Sequence, residues 1–482
     1  MLTLCCTGKS AISTPPIDML PDELLLEIFD WDDWSYDEQW HALVHVCQRW
    51  RQIAFASSRR LRLGILCCEG TPVRKYLGIW PDLPISLEYL SWGRSITADD
   101  EDNILAALEH PDRVRAIALD LTGSMWEKVV TVMKEPFPEL RHLSCTSSKD
   151  GNTPIFPPKF LGGHAPFCLD EVDLWGIPFP ALPTLLLSAS NLRRLSLSKI
   201  PPTGYISPEA IVASLATLPR LDDFMIEFQS ATSRPNRIDP PPVTRAVLSA
   251  LTTFRFTGAS EYLEDLVARI DSPRLSDICI QYFNQFIDFQ VAQFSKFISR
   301  SAGLKPALVE HAYLTFSINM VSFDMYDPHA IPHTVTFRRV KPLTVIGILC
   351  GGGIDWQVSH MAQVLRHFLA TLSHVIHLRL RLLKQYQFES TDDVEWHLLL
   401  HRFSAVQTLH VSEDPAGHIA VALEDMLEGM FAESLPCLNL IYLENQPASS
   451  VEKFVAARQR CGRVVTVVHT KAEYDERLRS MA

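Results

Sequence analysis

From about residue 60 onward, apolar residues recur as triplets at the first, fourth and sixth positions of a short segment. The triplets begin at Leu87, Val114, Leu140, Leu169, Leu192, Leu221, Leu251, Leu275, Val309, Leu343, Val375, Val406 and Leu438, and by subtraction they lie 23 to 34 residues apart. The alternation within each triplet predicts a strand with one buried side. Between the triplets, stretches such as Glu261 to Ile270 and Trp356 to Leu372 carry a helical apolar rhythm, which predicts helices returning the chain to the next strand. One strand-plus-helix unit cannot bury its own apolar edge, so the units are expected to stack. The proline-rich pieces Thr153 to Pro166 and Arg234 to Pro242 read as exposed loops within that stack.

The amino-terminal pattern is different. Pro21, followed by Asp22 and Glu23, suits a helix start, and Leu20, Leu24 and Ile28 recur at four-residue steps with Leu25 and Phe29 widening the stripe. Ser35 and Glu38 have the spacing of a capping box, and Trp40, Leu43, Val44, Cys47, Trp50 and Ile53 continue a helical rhythm. Two or three short helices with an apolar face to bury are expected. The chain then divides into a small polar lead over 1–16, a helical module over 17–59 and a repeating body over 60–482.

Composition narrows the functions open to this arrangement. The 47% hydrophobic content excludes extended disorder, and 44 Lys+Arg against 56 Asp+Glu leave a net charge of −12, which repels phosphate and gives no basis for nucleic-acid binding. The 11 cysteines include no C-x-x-C, so neither a zinc finger nor a disulfide framework is implied. No apolar run approaches the roughly 20 residues needed to cross a bilayer, and the first residues lack a secretory signal pattern. A cytoplasmic or nuclear protein without membrane contact is expected. The pairs His374/His377 and His397/His401 lack a third ligand, and Gly351-Gly352-Gly353 reads as a turn. A nucleophile elbow, zinc helix and phosphate loop are all absent from the sequence, so no cofactor, no metal and no catalysis are expected.

The run Leu20-Pro21-x-Glu23-Leu24-x-x-x-Ile28-Phe29, followed by Val46-Cys47-x-Arg49-Trp50, resembles the F-box. It departs from a minimal F-box in the longer acidic and aromatic segment Asp30 to Gln39, and in Gln48 where a basic residue is common. The body resembles a leucine-rich repeat, without the asparagine often found eight residues after the first leucine. The order resembles fungal F-box proteins. That resemblance implies an α/β chain, a short helical F-box followed by an irregular leucine-rich-repeat solenoid. Its implied role is the substrate receptor of an SCF-type cullin-RING ubiquitin ligase. Leu20, Pro21, Leu24, Ile28, Val46 and Trp50 would hold the Skp-type adaptor, and the repeats would hold a protein substrate. A non-ligase scaffold whose helices only cap the solenoid is the alternative.

Strand alternation names the substrate face. If positions one, four and six point inward, positions three, five and seven face the concavity. Early units then present Glu171, Asp173, Trp175, Asp223 and Glu227, and a later one presents His377, Arg379 and Arg381. A surface running from acidic to basic, with Trp175 as its main anchor, is expected to suit an extended dipolar protein ligand.

Overall fold

The computed structural model describes residues 16–30, 40–58, 60–61, 63–90, 96–147, 153–235, 244–284, 289, 291–304, 309–326, 342–349, 353–383, 396–412, 419, 423, 435–444 and 451–470. The lead with Cys5 and Cys6, the Ser35–Glu38 box, Trp92, Gly351 and Gly352 lie outside these residues.

Three short helices open the described chain, α1 (Asp22–Asp30), α2 (Trp40–Val46) and α3 (Gln48–Ala56). Asp22 and Glu23 occupy the first turn of α1, where the positive helix end favours them. The rhythm across 40–53 is broken at Cys47, whose backbone is extended and whose Sγ accepts from the Trp50 N–H at 3.4 Å, capping α3.

Strands follow as β1 (Ile65–Cys67), β2 (Ile85–Tyr89), β3 (Val114–Leu121), β4 (His142–Ser147), β5 (Glu171–Trp175), β6 (Arg194–Ile200), β7 (Asp223–Phe228), β8 (Ala246–Val247), β9 (Thr253–Gly258), β10 (Ile270–Asp271), β11 (Asp277–Phe283), β12 (His311–Ser317), β13 (Met320–Tyr326), β14 (Thr344–Leu349), β15 (His377–Leu382), β16 (Thr408–Ser412), β17 (Leu440–Glu444) and β18 (Thr466–Thr470). β8 pairs only with β10, and the rest form one 16-stranded sheet, open at β1 and β18, in which every pairing is parallel except the two made by β13. This is a mixed α/β architecture without a closed barrel. One continuous apolar cluster runs from Leu25 to Val465, so α1–α3 share a core with the strands.

The triplets fall on strands for a simple reason: residues alternate between a buried side and a half-exposed side, as in β11 and β12. The helices between strands supply the cover. Helix Gly123–Val132 buries Trp126 completely and donates its Nε1–H to the Thr146 carbonyl at 3.0 Å, at the end of β4. The predicted helices over 261–270 and 356–372 are Ser260–Ala268 and Ile354–Leu365, the latter continued by short turns to Leu372.

Two corrections concern register and order. Leu87 pairs with Ile117, so the first triplet is framed three residues too late and the inward residues of β2 are Ile85, Leu87 and Tyr89. The strands are also not laid down in sequence. After β11, helix Ala292–Arg300 carries the chain to β12, three strand spacings or roughly 14 Å away. β13 turns back antiparallel to it, and β14 fills the place beside β11, giving the order β11-β14-β13-β12-β15. The triplets at Val309 and Leu343 therefore mark strands two places apart, with an unanticipated strand between them. β1 and β18 are likewise unanticipated.

Candidate functional site

Two surfaces gather the residues singled out above. On α1, Leu25 and Phe29 are buried, and Phe29 packs on the half-buried Trp50 with ring centroids 4.8 Å apart. Arg49 ties α3 to the start of α1 by donating to Asp22 Oδ1 at 2.6 Å and to the Leu20 carbonyl at 2.5 Å. Trp80, after the first helix of the body, stacks on His41 at 5.0 Å and meets Phe55 edge-on at 6.4 Å. The inner side of the module is thus already occupied.

Its outer side carries apolar residues among the exposed acids Asp22, Glu23, Glu27 and Asp30. Leu24 is 45% exposed, Ile28 50% and Val46 59%, and the four-residue spacing puts Leu24 and Ile28 on one face of α1. Ile17 and Met19, just before the helix, are exposed too; the sequence reading passed them over although both are large apolar residues beside a helix start. Pro21 is exposed and Leu20 half-buried. Leu24, Ile28 and Val46 are therefore free to meet another surface, whereas Trp50 spends much of its area on Phe29 and serves chiefly to hold the module together.

The second surface is the side of the sheet opposite the buried triplets. Trp175, 44% exposed, and Asp173 stand open on β5, while Glu171 and Asp223 are half-buried. The acidic residues are largely matched on neighbouring strands. Glu171 lies 3.0 Å from Arg194 and 3.6 Å from His142, and Asp223 lies 3.2 Å from Arg255. Glu227 is buried beneath Lys199, 2.7 Å away. A bulge in β6 between Leu197 and Ile200 puts Lys199 at φ 52° and brings it onto that carboxylate. The expected ligand contact at Glu227 and the expected acidic run are corrected accordingly. Each partner sits at a neighbouring position one unit away, a separation that pairing by unit would have exposed.

The later strands carry half-buried aromatic and basic groups instead. His377 stacks on His311 at 4.4 Å, His410 on Tyr442 at 4.2 Å, and Tyr313 meets Tyr326 edge-on at 4.7 Å. Arg379 is half-buried and reaches Glu444 at 3.0 Å, while Arg381 is exposed. Arg379, neutralised by Glu444, therefore drops out of the expected basic end. Burial first, then the charges of Arg379, His377 and His311, push the His410 imidazole down to about 4, so it is neutral at pH 7. Burial pushes the Asp324 carboxyl on β13 up to about 6 against a hydrogen bond from Ser322.

Buried charge on the helix side has a structural use. Glu264 accepts from the N–H groups of Gln293 and Phe294 at 2.7 and 2.8 Å, closing the exposed start of helix Ala292–Arg300. Asp265 pairs with Arg269 at 2.9 Å, and Arg269 also reaches Glu209 at 2.6 Å; burial raises the Asp265 carboxyl. Of the histidine pairs, His401 uses Nδ1 on the His397 carbonyl at 2.8 Å, and no group of three metal-ligating side chains occurs among the described residues. Among those residues, no helix is long and apolar enough to cross a membrane. No protein-family model matches the chain, and no curated protein matches it.

Proposed function

We propose that the chain is a non-catalytic binding subunit, the substrate receptor of an SCF-type cullin-RING ubiquitin ligase. In this reading α1–α3 are the F-box that docks a Skp-type adaptor, and the strand-helix body is an irregular leucine-rich-repeat solenoid that holds a protein substrate. Its contribution to the reaction is proximity: it raises the concentration of substrate lysines near ubiquitin carried by the rest of the assembly.

The observation that carries this reading is the exposure of apolar residues on helices whose inner side is already packed. Leu24, Ile28 and Val46 remain exposed although Leu25, Phe29 and Val44 fill the core, and neighbouring exposed apolar residues mark interaction surfaces. The competing reading, a scaffold whose helices merely cap the body, draws on Trp80 and its contacts with His41 and Phe55. Capping alone leaves the outer residues without a purpose. The test is co-purification of a co-expressed Skp-type adaptor with the full chain and with a Leu24→Gln/Ile28→Gln variant. Capture by the parent and loss in a folded variant supports the receptor reading; no capture by the parent favours the cap.

A further inference from the structure

The reordered strands assemble a group of side chains that the triplet pattern does not contain. Asp324 sits on β13 opposite Tyr313 of β12 and Val345 of β14. Its chain neighbours Phe323 and Met325 are 0% and 2% exposed in the core, so strand alternation turns the carboxyl to the other side of the sheet. Tyr326, two residues on, shares that side, and its ring lies 4.7 Å from that of Tyr313.

Asp324 lacks a counter-charge among the described residues, as does Asp173 on β5, whose carboxyl burial also pushes up and Ser196 hydrogen-bonds; the tyrosine pair beside it sets Asp324 apart. On the same side of the sheet, Glu171, Asp223, Glu227 and Glu444 each have a cation within 4 Å. Asp324 has none among the described residues, and the hydroxyl of Ser322 is its hydrogen-bond partner. Arg379 lies opposite Tyr313 on β15, one strand beyond; its charge reaches Tyr313, and its guanidinium pairs with Glu444 at 3.0 Å. A half-buried carboxylate without a cation is electrostatically unsatisfied, and aromatic faces beside it attract positive charge.

We infer that Asp324, Tyr313 and Tyr326 form a subsite for one cationic side chain, lysine or arginine, of a protein ligand lying across the sheet. The carboxylate supplies the counter-charge and the tyrosine rings hold the alkyl stem or guanidinium plane. A metal ion suits the group poorly, since one carboxylate supplies too few hard oxygen ligands. This placement deepens the proposed substrate role and rests on it: the substrate must present an accessible basic residue.

The test uses the intact chain and three small probes, N-acetyl-arginine amide, N-acetyl-lysine amide and the neutral N-acetyl-citrulline amide, with binding followed by saturation-transfer NMR. Saturable binding of a cationic probe is expected, with citrulline much weaker. Asp324→Asn, close in shape to the parent, should weaken it by at least about tenfold, and Tyr326→Leu should weaken it severalfold. Thermal midpoints confirm that both variants are folded, and if one is not, the other decides. Equal binding of citrulline, unchanged affinity in the folded variants, or no saturable binding overturns the subsite. Adaptor capture is read separately, so its loss bears on the ligase role and leaves the probe result standing.

Discussion

Replacing Leu24 and Ile28 together by glutamine separates docking from capping. The two side chains are 45% and 50% exposed, so each keeps roughly 80–90 Å² available to a partner, worth about 2 kcal/mol at 25 cal/mol per Å². Losing both should weaken adaptor binding by up to about 4 kcal/mol, two to three orders of magnitude in Kd. Glutamine is a good helix former, so the folded state should change by only about 1 kcal/mol. The matched control is Phe29→Ala: the ring is 1% exposed and rests on Trp50 at 4.8 Å, and removing it should cost about 3–5 kcal/mol of stability. Calorimetric titration with purified adaptor and urea unfolding measure the two quantities independently. If the glutamine pair binds adaptor like the parent, or unfolds as readily as Phe29→Ala, the outer side is not a docking surface.

Further variants probe the body. Glu264→Ala leaves the Gln293 and Phe294 N–H groups without their acceptor and should cost about 2 kcal/mol in urea unfolding; an unchanged midpoint would remove its capping role. For Asp324 the sign is set by a folded value of about 6, above the ordinary 3.8. The folded state holds the proton more tightly, so the cost of the charged carboxyl is absent below about pH 4 and complete above about pH 6. Asp324→Asn should therefore stabilise the protein near pH 7.5 by about 3 kcal/mol and leave it unchanged at pH 3.5, as read from midpoints at both pH values. Trp175→Ala should change stability by less than about 1 kcal/mol, because the ring stands 44% exposed on the sheet, while weakening substrate capture; full capture would remove it as an anchor. Arg381→Glu should weaken capture most at low salt, whereas Arg379→Glu should mainly destabilise by breaking the contact with Glu444, and the reverse pattern would contradict the pairing.

The alternation of apolar and polar residues determined which segments become strands and which side of each is buried. Local sterics and burial suffice for that: in β3, Val114, Ile117 and Leu119 are buried by the same spacing that makes them visible in the sequence. The apolar stripe of α1 was equally legible, but its division was not. Leu25 and Phe29 went inward while Leu24 and Ile28 stayed out, because Trp50 and Arg49 of α3 set the rotation of the helix. Strand order was decided only in three dimensions. Met320–Tyr326 carries the same spacing, in Met320, Phe323 and Met325, but a triplet says nothing of direction or neighbour, so periodicity could neither show that β13 runs antiparallel nor place β14 beside β11. Charge on the open side was decided the same way. Glu227 read as a ligand contact until a bulge laid Lys199 over it, and Asp324 had no reason to stand out until its neighbours were assembled around it. Periodicity reports a residue's side of its own strand; which strand comes next, and hence which charges meet, depends on contacts between residues distant in the chain.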